Sequence, residues 1–218
     1  SQPGRFYAGP GLALDVGGPE ALAAGGANPE ELAAFLQFCG CSALITNGTA
    51  PAGWRADGHL YGFALAAGAQ LPEPAADEAL WAALALDAAP PAGELAAFLY
   101  PAGPQRDDYY SALCTKRVRG LARVWALRQG GGLAATIGAY AIRDGRAYLA
   151  CGCTAEPLRG RGAGGRLAVR FANALAGQGL EVCLLCRGER TGFYTRLGFA
   201  PAGALARYTN ETGKESYA

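Results

Sequence analysis

The sequence predicts an α+β fold in which a mixed, mostly antiparallel sheet is flanked by helices. Apolar runs of strand length follow one another between Ala122 and Thr154, separated by glycine turns and by no helix. After Thr154 the pattern changes to alternating helix-length and strand-length segments. A chain of 218 residues that is 51% hydrophobic can also bury a real core, as one large domain or two small ones.

In chain order, Phe6 to Val16 reads as a strand. Pro29-Glu30-Glu31, with Leu32, Phe35 and Leu36 behind it, opens a helix that carries Pro and acids in its first turn. Ser42 to Thr46 and Leu60 to Ala66 are short strands, while Ala75 to Asp87 and Glu94 to Tyr100 have helical composition. Tyr100 to Asp108 is a Pro/Gly run followed by charge, which marks a linker or exposed loop. The expectation is therefore an amino-terminal α/β region over residues 1–104 and a second domain over residues 105–218.

The second half is more regular. Ala122 to Leu127, Leu133 to Ile142 and Arg146 to Thr154 are three consecutive antiparallel strands, with hairpin turns at Gln129-Gly130-Gly131-Gly132 and Asp144-Gly145. Ala163 to Ala176 carries Leu167, Phe171, Ala174 and Leu175 at helical spacing and stops at Gly177 and Gly179. Leu180 to Cys186 is a fully apolar, buried-type strand. Arg187 to Leu197 reads as a short helix closed by Gly198, and Phe199 to Tyr208 as a last strand.

Lys and Arg (19) against Asp and Glu (18) leave a formal charge of +1, so no long-range field draws the chain to nucleic acid or an anionic membrane. The longest apolar stretches are Ala-rich and too short to span a bilayer. The start, Ser1 to Phe6, lacks a basic segment followed by an apolar run, so a cytoplasmic chain without a secretory signal is expected. Seven cysteines, an odd number in apolar surroundings, suit reduced thiols. Cys183 and Cys186 have CxxC spacing, but on a strand they point to opposite faces, and with His59 the only histidine no metal is expected.

Between the third strand and the next helix stands Glu156-Pro157-Leu158-Arg159-Gly160-Arg161-Gly162-Ala163-Gly164-Gly165. Its N–H groups are the unsatisfied donors of a helix start, and its glycines let an anion approach them closely. Gly160, Gly162 and Gly165 also satisfy GxGxxG, yet Ala155 to Leu158 separate the turn from its strand. Glu181, at the distance of a ribose-binding acid, falls near the start of a strand, away from such a ligand. No Gly-Lys-Ser/Thr follows, which excludes a P-loop.

Arg159-x-x-Gly162-x-Gly164 resembles the pyrophosphate-binding motif of the GCN5-related N-acetyltransferase (GNAT) family. Phe193-Tyr194-Thr195-Arg196-Leu197-Gly198-Phe199 is similar to that family's second signature, Phe-Tyr-x-x-x-Gly-Phe. The resemblance covers about residues 107 to 210, and the texture of the first half is compatible with a degenerate second copy of the same fold. It implies acetyl-CoA as co-substrate, with the diphosphate on the N–H groups of Arg161, Gly162, Ala163, Gly164 and Gly165, and with Arg159 and Arg161 as auxiliary charges. It implies that the strand ending near Thr154 splays from the strand beginning at Leu180. Backbone groups of Cys151 and Cys153 then hold the pantetheine arm as an added strand would be held. Tyr194 matches the family's usual proton donor to the departing thiolate.

The family often has Asn six residues before the signature Phe and a small residue three before it; here Arg187 and Arg190 stand there. Glu156, Asp107 and Asp108 are candidate bases, and none stands out. Arg106 to Arg119 is either an acceptor groove lined by Tyr109, Tyr110 and Lys116 or an amphipathic core helix. The function so implied is acetyl transfer to a primary amine of a small molecule or peptide. The alternatives are a non-catalytic acyl-CoA-binding module with a protein partner, and aminoacyl or longer-acyl transfer.

Overall fold

The computed structural model describes residues 5–210. Residues 1–4, most of the amino terminus tested above for a signal, and 211–218 lie outside them. The elements are β1 (Arg5–Gly9), β2 (Leu12–Val16), β3 (Glu20–Gly25), α1 (Pro29–Phe38), β4 (Ala43–Thr46), β5 (Arg55–Leu65), α2 (Glu78–Ala82), β6 (Ala85–Asp87), α3 (Ala92–Leu99) and α4 (Pro104–Val118). They continue with β7 (Arg123–Gln129), β8 (Gly132–Arg143), β9 (Arg146–Thr154), α5 (Ala163–Ala176), β10 (Glu181–Arg187), α6 (Thr191–Arg196) and β11 (Ala200–Thr209). Two compact units result: Ser1–Gly62 with Cys186–Glu189 and Gly203–Ala218, and Phe63–Leu185 with Arg190–Ala202.

In the first unit the strand order is β1-β2-β3-β4-β11. The expected single strand from Phe6 to Val16 is a hairpin, because Pro10 offers no N–H and Gly11 turns the chain at φ +76°. The β3 strand escaped the sequence reading because its inward positions are Ala21 and Ala23, both buried, while Leu22 points out. It pairs in parallel with β4, and α1 makes the crossover. Asn28 caps α1 by accepting from the N–H of Glu30 and Glu31, each at 3.0 Å. Its apolar face buries Leu32 and Leu36 against Leu14, Val16 and Leu44. The β5 strand begins at Arg55, ahead of the expected Leu60, on residues largely open to solvent.

In the second unit the order is β6-β7-β8-β9-β10. Both expected hairpins form, with Gly130-Gly131 and Asp144-Gly145 in the left-handed region that such tight turns need. Only β9 and β10 run parallel. Alternation along β7 separates two layers. Val124 joins Leu95 of α3 and Leu113 of α4, whereas Trp125 stacks 5.2 Å from Phe171 of α5. Leu167, Phe171 and Leu175 of α5 are each about 1% exposed, and such burial is worth roughly 1.5–3 kcal/mol per side chain. The same alternation in β10 leaves Cys183 half-buried and Cys186 buried, on opposite faces.

Three expectations here need correction. The helix expected over Ala75 to Asp87 reduces to the five residues of α2, followed by the edge strand β6 paired with β7. Contacts of residues 70–78 with α5, described below, override their helical composition. The helix α4 begins at Pro104, inside the segment expected to be a linker. The helix expected from Arg187 is shorter: β10 keeps Arg187, a 3₁₀ turn takes Gly188–Arg190, and α6 starts at Thr191.

Candidate active site

The glycine turn leads from β9 into α5 through a 3₁₀ turn at Glu156–Leu158. Gly162 caps the helix in the left-handed region, φ +82°, with no side-chain cap. The first helical hydrogen bond runs from Arg166 N–H to Gly162 C=O at 3.0 Å, so the N–H groups of Ala163, Gly164 and Gly165 precede the ladder. A β-carbon at Gly162 would meet Ala75 O at 2.5 Å, and one at Gly164 would run into Thr154 Oγ1. The turn is thus packed against neighbours on both sides while its donors stay at the helix start.

Its two arginines differ. Arg159 Nε donates to Thr154 C=O at 3.0 Å. Arg161 donates to Asp77 Oδ2 from Nε (3.0 Å) and Nη2 (2.6 Å), so its charge already has a carboxylate partner. A hydrogen bond from the Leu80 N–H, followed by those from Arg161, holds the Asp77 carboxyl below the usual range. Asp77 and the neighbouring acids Glu73 and Glu78 have no local sequence signal, because all their arginine partners are far along the chain.

The parallel pairing of β9 with β10 ends at Leu149↔Leu184, although β9 continues to Thr154. Beyond that point β9 bulges: Thr136 of β8 faces Cys153 and Gly138 faces Ala150. Cys151 adopts φ +54°, rare for a residue with a β-carbon, and Thr136 Oγ1 donates to its carbonyl at 3.2 Å. Cys151 and Cys153 therefore lie beyond the last paired residues of β9 and β10, on a stretch of β9 that still pairs with β8.

Phenols that the motifs did not point to surround the bulge. Tyr109 and Tyr140 share a hydrogen bond of 2.5 Å, and the Tyr100 ring stands 5.5 Å from that of Tyr109. Burial pushes Tyr109 up to about 12 and Tyr140 higher still. Burial also raises the Cys151 thiol, against opposing hydrogen bonds from Tyr140 and Tyr100. Tyr148 is raised by burial too, and further by Cys183, Cys151 and Tyr194, against an opposing hydrogen bond from the Leu185 backbone. Of the groove residues anticipated on α4, Tyr109 is inside this cluster and Tyr110 is 48% exposed.

Tyr194, on α6, is half-buried, with its ring 5.8 Å from Phe63, 5.1 Å from Phe193 and 5.9 Å from Phe199. Phe193 reaches the glycine turn: its ring carbons lie 3.7 and 3.9 Å from the place a β-carbon of Gly165 would occupy. Thr154, Gly164, Gly165 and α6 are thereby brought together at the carboxyl end of β9. Among the described residues no group of three or more His, Cys, Asp or Glu could hold a metal ion. No described helix is long and apolar enough to cross a membrane.

The fold as a whole is similar to those of solved structures. A GCN5-related N-acetyltransferase from Kribbella flavida superposes with a TM-score of 0.63 at 14% identity, over 98% of this chain and 91% of that one. The fold is that of the GNAT acetyltransferases. A GCN5-related N-acetyltransferase from Sphaerobacter thermophilus gives 0.61 at 16% identity, over 92% of this chain and 76% of that one. A tandem GNAT protein from the clavulanic acid biosynthesis pathway gives 0.60 at 14%, over 94% and 79%. The likeness to GNAT structures extends over nearly the whole chain, beyond the carboxyl half that carries both motifs. No family model and no curated protein matches the sequence.

Proposed function

We propose that this chain is an N-acetyltransferase that moves an acetyl group from acetyl-CoA directly to a primary amine of a small molecule or peptide. The observation that carries the reading is the glycine turn at the start of α5, packed beside the end of β9 where the sheet opens. The fit to the co-substrate is specific. A β-carbon would fill the turn at Gly162 and Gly164, and the unladdered N–H groups of Ala163, Gly164 and Gly165 suit a diphosphate. Arg159 adds charge beside it, and backbone groups of Cys151 and Cys153 hold the pantetheine amides in the manner of an added strand. Acetyl-CoA supplies the acetyl group as a thioester.

The acceptor amine must arrive neutral, so a proton leaves it and another is delivered to the departing sulfur. Tyr194 Oη holds the second proton. Tyr109 and Tyr140, both raised by burial, remain neutral donors and do not serve as the base. In this reading the enzyme is cytoplasmic, with its seven cysteines free, and it acts on neither nucleic acid nor membrane. We read the parallel β3-α1-β4 part of residues 1–104 as what remains of a second copy of the fold, and 105–218 as the part that meets acetyl-CoA, with residues 63–104 packed into the same compact unit.

The test is acetyl-CoA binding followed by release of free thiol with a panel of amines. At 100 times Kd, acetyl-CoA should stabilise the chain by roughly 2.7 kcal/mol, and thiol should appear only when an amine is present. Tight binding with no turnover on any amine would favour a non-catalytic acyl-CoA-binding module instead.

A further inference from the structure

Residues 70–77 form an extended strap along α5 that leads into α2 at Glu78, and it is fastened at almost every turn of the helix. Asn173 both accepts from Leu71 N–H (2.8 Å) and donates to Leu71 C=O (2.9 Å). One turn nearer the amino terminus, Arg170 holds Glu73 at 2.7 Å. Arg166, buried, donates to Pro74 C=O at 3.2 Å and to both oxygens of Glu78 at 3.0 and 2.5 Å. Trp81 covers the guanidinium groups of Arg166 and Arg170 at 5.0 and 4.8 Å.

The last fastening is at the glycine turn itself. Asp77 N–H donates to Arg161 C=O at 3.0 Å, and the Asp77 carboxylate is divided between two elements. One oxygen accepts from Leu80 N–H at 2.9 Å and caps α2; the other holds Arg161. Directly after Arg161, the left-handed Gly162 lies against Ala75 O and Ala76 Cα with no room for a β-carbon. The strap thus forms the wall against which the turn is folded, and Asp77 is where wall and turn are joined.

We infer that Asp77 and Arg161 are a positioning pair: Arg161 acts through the strap, holding the turn in its anion-accepting shape, and not as a charge on the diphosphate. The inference deepens the proposed function and rests on it. Arg161 is then a different kind of residue from Arg159, which donates to the β9 carbonyl of Thr154.

The experiment uses the full chain as wild type, Asp77→Asn, Arg161→Gln and the double variant. Asn keeps a cap for α2, so Asp77→Asn removes the joint without removing the helix start. Each single variant should raise the Kd for CoA and the KM for acetyl-CoA about 5-fold, the scale of a well-formed but exposed pair. The double variant should match the singles and not their product. For Asp77→Asn, kcat and the rate with S-acetyl-N-acetylcysteamine, which has no diphosphate, should be unchanged. Amide exchange should rise together in residues 71–78 and 160–166. A double variant whose losses multiply overturns the inference, since Arg161 then meets the ligand independently of Asp77. So does a 5-fold loss shared by the truncated thioester, or exchange that rises in the strap alone. If wild type binds no CoA, the functional reading fails as a whole. The joint is then judged on exchange and on inorganic diphosphate binding, and unchanged behaviour of both in Asp77→Asn overturns it separately.

Discussion

The Tyr194 ring stands against those of Phe63, Phe193 and Phe199, and a ring so placed fills space whether or not it carries a hydroxyl. Only the hydroxyl separates packing from proton transfer. Tyr194→Phe should therefore leave the melting temperature and acetyl-CoA affinity almost unchanged. It should lower kcat about 100-fold, the low end for general acid catalysis, because a thiolate is already a fair leaving group. An undiminished kcat under conditions where chemistry limits turnover would leave Tyr194 with packing alone. The phenols around the bulge make a second case. In the unfolded chain a tyrosine ionises near pH 10, while folded Tyr109 holds its proton to about 12. Between those values the unfolded state has lost the proton that the folded state keeps, so stability falls as pH rises, and below about 10 it does not depend on this group. Urea midpoints from pH 9 to 12 should decline in wild type and decline less in Tyr109→Phe. Equal slopes would mean that burial does not hold this proton.

Along single elements, the same residue type behaves differently according to what lies beside it. Gly160 and Gly162 both have positive φ, +75° and +82°, yet a β-carbon at Gly160 meets nothing within 4 Å while one at Gly162 meets the Ala75 carbonyl. Gly160→Ala should therefore cost only the left-handed backbone, about 1–2 kcal/mol, with acetyl-CoA binding retained. Gly162→Ala adds a steric clash with the strap and should cost about 2–4 kcal/mol and abolish the acetyl-CoA melting shift. Similar losses at both sites would show that the strap does not press on the turn. This contrast also marks what was legible from sequence. The β7-β8-β9 meander, α5 and the glycine turn were readable because hairpin glycines and helical spacing are written in contiguous residues. The strap was not: Glu73, Asp77 and Glu78 pair with arginines 84 to 97 positions away, and an Ala-rich run gives no hint that it will be held extended. Tyr100, Tyr140 and Tyr148, which join Tyr109 near Cys151, were missed for the same reason: the residue after α3, β8 and β9 each supply one, and only the fold assembles them with α4.

For the whole chain, Pro101, Gly103 and Pro104 read in sequence as a boundary near residue 104, while residues 63–104 belong to the same compact unit as the glycine turn. The edge strand β6 pairs Ala85–Asp87 with Ala126–Arg128 of β7. Asp87 accepts from Arg128 Nε at 2.7 Å, and Glu94 holds the same guanidinium at 2.8 Å. Leu95 of α3 is fully buried against Leu113, Ala122 and Val124. Beneath α5, the strap neutralises Arg166, which is only 8% exposed. A chain cut to residues 105–218 loses all of these partners at once. Leu113 and Val124 become apolar surface, Arg166 becomes a buried-side cation without its carboxylates, and β7 becomes an open edge, a template for edge-to-edge pairing. Removing the cover of Leu113 and Val124 alone forfeits roughly 3–6 kcal/mol at 1.5–3 kcal/mol per side chain, comparable with the whole stability of a small domain. Residues 105–218 expressed alone should thus aggregate, or bind a dye that reports exposed apolar surface, and show no acetyl-CoA melting shift. A fragment starting at Phe63 keeps the strap, β6 and α3, so its soluble yield should exceed that of the shorter piece. A monomeric 105–218 fragment with full acetyl-CoA binding would show that residues 63–104 are dispensable to the site.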